Sequence, residues 1–183
     1  MGKGFVWVIF LAFFGASAFL LGRWSGQSSS NLLPIIRPAA NAPIPTQLKE
    51  VRWYVPSMLE CRLVVEKRSM MLPERPTAAA RELVESRLED LMGTERLRLE
   101  SLFLGPDQQW ILIVSGASAL DRYHASCESG LALYSLVDTL LANFPQGKKV
   151  LLIDHDAGDR PLESWGPLDA SQPLEFDDWS PRG

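Results

Sequence analysis

The spacing of apolar residues along the chain predicts two helices. Apolar positions three and four apart recur over residues 76–94 and again over residues 126–144. The first stripe comprises Ala80, Leu83, Val84, Leu88, Leu91 and Met92, and the second comprises Leu133, Tyr134, Val137, Leu140, Leu141 and Phe144. This spacing gives each helix one apolar face that must be buried. Proline at the start of the first segment and after the end of the second fits these bounds.

Alternating apolar residues predict the strands. Val51, Trp53 and Val55 alternate with polar or aromatic neighbours in "KEVRWYVP", and "CRLVVEKRSM" is a candidate second strand. The segments "RLRLESLFL" and "QWILIVSG" flank a Gly-Pro-Asp turn, as in an antiparallel hairpin, and "KVLLI" is the last clear strand. The resulting order, β(β)αββαβ, predicts an α+β domain in which two helices pack on one face of a mixed β-sheet.

A long apolar segment near the N-terminus predicts a membrane anchor. Residues 4–22 contain no charged side chain, and as a helix they would span roughly 28 Å, close to the thickness of a bilayer core. Arg23 and Trp24 follow, where a charge and an aromatic ring suit the membrane interface. The alternative is a cleaved signal peptide, because Ala16-Ser17-Ala18 has the small-x-small pattern. The apolar run continues past that site, which favours an uncleaved transmembrane helix.

The sequence divides into four predicted segments. Residues 1–23 are the predicted transmembrane anchor, and residues 24–47 are a tether rich in Pro and Ser. Residues 48–176 are the predicted folded domain, and residues 177–183 are an acidic tail. The positive-inside rule then predicts a single-pass protein of the cytoplasmic (inner) membrane with its C-terminal domain outside the cytoplasm.

The charge of the chain argues against one class of partner, and its cysteine content bears on the cellular compartment. The chain has a formal net charge of −4, and its first 48 residues carry three bases and no acid, so residues 49–183 sum to −7. An acidic domain lacks the clustered bases that nucleic acids require. The two cysteines, Cys61 and Cys127, allow at most one disulfide, as expected of an oxidising compartment, or two buried free thiols.

Three motifs resemble the GerMN domain, the sporulation and spore-germination domain family. They are the opening strand "VRWYVP", the segment "LYSLVDTLLANFPQGKKVLLIDHD" and the closing motif "WGPLDASQPL" at residues 165–174. The chain departs from the family pattern in its "DHDAGD" turn and at Pro167, where a His is usual. The resemblance implies an α/β domain similar to ring-building modules of cell-envelope assemblies, typically exported and membrane-tethered. It implies neither catalytic residues nor a cofactor.

One cluster has the residue types of a metal site: Asp154, His155, Asp156 and Asp159. A calcium loop needs Gly at its sixth position and Glu at its twelfth. Counted from Asp154, those positions hold Asp159 and Trp165. Acids and Gly after a strand are more often a solvated turn. The sequence therefore predicts a scaffold turn and no metal or cofactor.

Nucleophilic chemistry has two weak candidates. His124 and Cys127 lie three residues apart near a helix start, a conceivable nucleophile pair, although Cys at such a position is more often buried. Ser115 lacks the Gly-x-Ser-x-Gly context of a nucleophile elbow. We therefore expect no enzyme but a non-catalytic interaction or scaffold domain of a bacterial envelope assembly, with an envelope protein or itself as partner. The alternative is a domain that binds a small ligand, a metal or a cell-wall glycan.

Overall fold

The computed structural model describes residues 45–92 and 97–176. The predicted anchor, the tether up to residue 44 and the predicted acidic tail lie outside these residues. The helices within them are not long and apolar enough to span a bilayer. The membrane anchor therefore stays a prediction.

The described part of the chain begins with a long antiparallel hairpin, here called the N-terminal hairpin. Strand β1 (Thr46–Ser57) pairs with β2 (Arg62–Pro73) along its whole length. Both strands extend beyond their predicted bounds, and β1 continues through Pro56. The predicted alternation is confirmed at Val51 and Trp53, which are buried on either side of the exposed Arg52, but Tyr54 is buried as well and Val55 only partly so. The hairpin forms a separate two-stranded sheet, which differs from the single mixed sheet that the element order predicts.

The main sheet is mixed, as predicted. Helix α1 (Pro76–Met92) leads into β3 (Arg98–Gly105), which pairs antiparallel with β4 (Gln109–Ser115). Helix α2 (Ser126–Asn143) then crosses to β5 (Lys149–Asp154), which lies parallel to β4. Four short strands follow: β6 (Arg160–Pro161), β7 (Ser164–Trp165), β8 (Leu168–Asp169) and β9 (Leu174–Glu175). Strands β6 and β9 both pair with β5, whereas β7 pairs with β8.

One core joins the helices to the buried face of the main sheet. Trp110 and Leu112 on β4 and Leu152 on β5 are fully buried, and they share a cluster with the predicted stripes of both helices. Helix α1 packs against β2 and β3, and α2 packs along β1. The turn before β5 comes so close to Trp110 that a Cβ on Gly147 would lie 2.1 Å from the indole ring.

The closing motif at residues 165–174 packs onto this core. Trp165 is fully buried and stacks on Tyr123, with ring centroids 6.4 Å apart. Gly166 adopts φ +58°, and a Cβ there would lie 2.6 Å from the Tyr123 carbonyl oxygen. Leu168 and Leu174 are partly buried against the core. The motif is therefore structural.

Candidate functional site

A cleft of about 320 Å³ lies beyond the carboxyl ends of β4 and β5. In α/β sheets such ends are the usual place for a ligand, because the loops that follow neighbouring parallel strands diverge there. Four charged residues line the cleft: Asp121, Asp154, Arg160 and Glu163. Three acids against one base give the cleft a negative formal charge, which favours a cationic or zwitterionic ligand.

Of the cluster predicted as a scaffold turn, Asp154 lines this cleft. The Asp154 carboxylate accepts a hydrogen bond from the backbone N–H of Asp156 at 2.9 Å. Asp156 in turn accepts one from the N–H of Gly116 at 2.7 Å, which ties the turn to the end of β4. Within residues 45–92 and 97–176, no three His, Cys, Asp or Glu side chains are placed to hold a metal ion. The carboxylates are engaged in shaping the loop.

Two exposed side chains near the cleft have shifted pKa values. The hydrogen bond between the Nδ1 atom of His155 and Asp159, at 2.9 Å, raises the pKa of the imidazole, and the charge attraction adds to it. The hydroxyl and backbone N–H of Ser171 both donate to Asp169, which lowers the pKa of that carboxyl. Both shifts favour the charged form. The hydrogen bonds that cause these shifts each stabilise a local turn.

The two nucleophile candidates have structural partners instead. Cys127 is bonded to Cys61 in a disulfide, so it is no free thiol and the His124–Cys127 pair is excluded as a nucleophile. The Ser115 hydroxyl donates a hydrogen bond to Glu100. The disulfide also decides between the two alternatives that the sequence left open for the cysteines. It fastens the turn of the N-terminal hairpin to the first turn of α2.

The N-terminal hairpin carries most of the exposed apolar surface. In the part of the chain that the structure describes, nine large hydrophobic side chains are exposed, and six of them lie on this hairpin or its turn. They are Leu48, Met58, Leu59, Val64, Val65 and Met71. Leu59, at the tip of the turn, is fully exposed. Several exposed apolar side chains on one element make that element a candidate interaction site.

Side chains of α2 form hydrogen bonds with the outer edge of β1 at two residues. The Asn143 amide accepts a hydrogen bond from the N–H of Arg52 at 2.9 Å and donates one to its carbonyl at 2.7 Å. The Thr139 hydroxyl accepts one from the N–H of Tyr54 at 3.1 Å. Sequence reasoning missed this contact. The available signal was the four-residue spacing of Thr139 and Asn143, which places both polar side chains on one side of the helix.

Comparison with known proteins gives one similar structure. No protein-family model matches the chain, and no curated protein matches it. The solved structure of the tandem GerMN domains of the sporulation protein GerM from Bacillus subtilis is similar at 14% sequence identity and a TM-score of 0.46. The match covers 73% of this chain but only 45% of that one. The resemblance to the GerMN family therefore continues to rest on the sequence motifs.

Proposed function

We propose that this chain is a membrane-anchored, extracytoplasmic interaction or scaffold domain of a bacterial cell-envelope assembly, with a non-catalytic role. The observation that carries the proposal is the exposed apolar surface of the N-terminal hairpin. Met58 and Leu59 project at a turn that a disulfide holds in place. A fixed apolar projection suits a protein partner, because little conformational entropy is lost when it docks.

The disulfide supports a location outside the cytoplasm. Disulfides persist in oxidising compartments and are rare where thiols are kept reduced. The apolar segment of residues 4–22 and the bias set by Lys3 favour the same topology. A reporter that is active only outside the cytoplasm, fused after Gly183, should therefore be active. Lys3→Glu should reduce its activity, and an active cytoplasmic reporter at the same site would reverse the topology.

A paired pull-down tests the interaction function. The double variant Met58→Ser/Leu59→Ser removes the apolar tip, whereas Leu104→Ser removes an exposed apolar side chain at the end of β3. The full chain is captured from native membranes, and co-purifying proteins are quantified for each variant. We expect the tip variant to lose a partner that the Leu104 variant retains. Equal recovery with both variants would count against the tip of the hairpin as the interaction surface.

The cleft favours a second function, the binding of a small ligand. Its acidic lining around Arg160 suits a molecule with at least one protonated amino group, such as glucosamine. Calorimetric titration with glucosamine-containing fragments tests this function, and the variant Glu163→Gln should weaken the binding. Heat of binding unchanged by that substitution would place the ligand elsewhere.

A further inference from the structure

The two edges of the N-terminal hairpin differ. The outer edge of β1 bonds to side chains of α2 at Arg52 and Tyr54, as described above. On its outer side, β2 is paired with no strand in residues 45–92 and 97–176. Most of β2 is also exposed to solvent, including Val65, Lys67, Ser69 and Met71. A strand of 12 residues with an open edge is a template for pairing with another chain.

The register of the hairpin identifies the backbone groups that are open. The N–H groups of Arg52 and Tyr54 point away from β2, since they bond to α2. Their cross-strand partners are Lys67 and Val65. In an antiparallel pair, the backbone N–H and C=O groups of two directly opposed residues either all point toward the partner strand or all point away from it. The outward groups of β2 therefore belong to Val65, Lys67 and, two residues further on, Ser69 and Met71.

We propose that a second copy of this chain pairs with the open edge of β2. The two β2 strands run antiparallel about a two-fold axis at Arg68, which makes one four-stranded sheet from two hairpins. In this register Lys67 lies opposite Ser69 of the second copy, and Val65 lies opposite its Met71. The outward groups then form about eight backbone hydrogen bonds between the copies.

In this register, three exposed apolar residues of the hairpin gain apolar neighbours across the dimer. Val65 and Met71 are 52% and 57% exposed, and they would form two symmetric cross-strand pairs. Leu48, which is 68% exposed, lies opposite Met71 within its own hairpin. Each side of the dimer would thus carry a row of Leu48, Met71 and the second copy's Val65 across neighbouring strands. Such pairs contribute about 0.2–1 kcal/mol each to a sheet.

Charge counts against a register with its axis at Lys67, and an axis at Ser69 would place Met71 opposite Lys67 instead of Val65. A two-fold axis at Lys67 would place that lysine opposite itself, and opposed like charges destabilise a sheet. With the axis at Arg68, Lys67 faces a serine and keeps its ion pair with Glu50 at 2.9 Å. The two Arg68 side chains would meet, but each already contacts Asp90 at 3.0 Å and Glu66 at 3.3 Å. Four carboxylates would surround the two guanidinium groups.

The dimer should be weak in dilute solution. Residues 49–183 carry a net charge of −7, so two copies repel each other, and salt screens this repulsion. A shared membrane would raise the effective concentration of the copies. The inference deepens the proposed interaction function by naming one partner, and it rests on that function.

A cysteine scan along β2 tests the pairing and its register. Single variants Lys67→Cys, Arg68→Cys and Ser69→Cys of the full chain are oxidised under mild conditions, and covalent dimer is measured with the native disulfide intact. Opposed residues at Arg68 would have Cα atoms about 4.5 Å apart, within disulfide range. The two Lys67 residues, like the two Ser69 residues, would be diagonal at roughly 7–8 Å. We expect a maximum at position 68. A maximum at 67 or 69, or a flat profile, would overturn the proposal.

A proline variant tests the edge independently of new cysteines. Ser69→Pro removes a backbone donor that points toward the second copy and none that bonds β1. The matched control is Ser69→Thr. Sedimentation should show self-association weakened about tenfold or more in the proline variant and unchanged in the control. Equal association of both variants, in proteins with similar melting temperatures, would refute edge pairing. A flat scan with an active topology reporter would refute only the dimer, whereas an inactive reporter would refute the proposed location.

Discussion

At the scale of single residues, Arg87 is a buried charged side chain whose hydrogen bonds are incomplete. It lies on the buried side of α1, 3% exposed, with its guanidinium 5.3 Å from the centre of the Trp53 ring. Its Nη1 atom is 3.7 Å from Asp90, while Nε and Nη2 have no hydrogen-bond partner among the described residues. Burial lowers the pKa of Arg87 to about 10. The charged form is therefore disfavoured by folding at neutral pH, and this cost is relieved only as pH rises toward and above 10.

We expect Arg87→Met to stabilise the fold. Methionine keeps the length of the side chain and its contact with Trp53, but it removes a buried charge whose hydrogen bonds are incomplete. Replacing such a charge with an apolar side chain of similar size is neutral or stabilising by about 1–4 kcal/mol. Urea unfolding of the variant and of Arg87→Lys, which keeps the charge, measures the difference. If the methionine variant were less stable, the contact of the guanidinium with the Trp53 ring would stabilise the fold by more than the burial of its charge destabilises it.

At the scale of elements, the contact between α2 and β1 determines where the hairpin lies. Asn143 uses both atoms of its amide to bond one residue of β1, as a neighbouring strand would. Asn143→Ala should therefore lower the free energy of unfolding by about 1–2 kcal/mol, since each hydrogen bond contributes about 0.5–1.5 kcal/mol. Ser135→Ala is the control, because the Ser135 hydroxyl donates only to the carbonyl of Ala132 within α2. If both variants lost a similar free energy of unfolding, the Asn143 contact with β1 would contribute no more than a hydrogen bond within one helix.

The disulfide makes a second connection between the hairpin and α2, from the turn of the hairpin to the first turn of the helix. Cys61 and Cys127 are 66 residues apart in sequence, and cross-links that close long loops restrict the unfolded chain most. Cys61→Ala/Cys127→Ala should lower the free energy of unfolding by about 4 kcal/mol on the chain-entropy account. A reducing agent should destabilise the parent protein and leave the double variant unchanged. If the agent left the parent protein unchanged as well, the cross-link would have no structural role.

At the scale of the whole molecule, local pattern predicted the elements but not their arrangement. The stripe of α1 and the alternation at Val51 and Trp53 depend on neighbours in sequence, and both are confirmed by burial. Arg87 lies at a stripe position that a search for apolar residues passes over. The Cys61–Cys127 bond and the contact of Asn143 with β1 join segments more than 60 residues apart. Periodicity carries no information about such distances, so the separate hairpin sheet and the cleft emerge only from the structure.

The chain closes its core with its last short strands, which makes stability depend on residues near the C-terminus. Truncation after Glu163 removes Trp165, which is fully buried, and with it the pairing of β9 with β5. Losing a buried Trp side chain alone costs about 3–5 kcal/mol, and a domain of this size has about 5–15 kcal/mol in total. We therefore expect this truncation to melt far below the parent protein or to remain unfolded.

Truncation after Phe176 is the matched control for that loss. It retains β9 and the edge-to-face contact between Phe176 and Tyr54, whose ring centroids are 5.7 Å apart. Thermal unfolding followed by circular dichroism should show a melting temperature close to that of the parent protein. Trp165→Ala should fall between the two truncations, because it opens a cavity but keeps the β5–β9 pairing. If both truncations melted alike, residues 164–176 would contribute nothing to the core, and the burial of Trp165 would have to be reinterpreted.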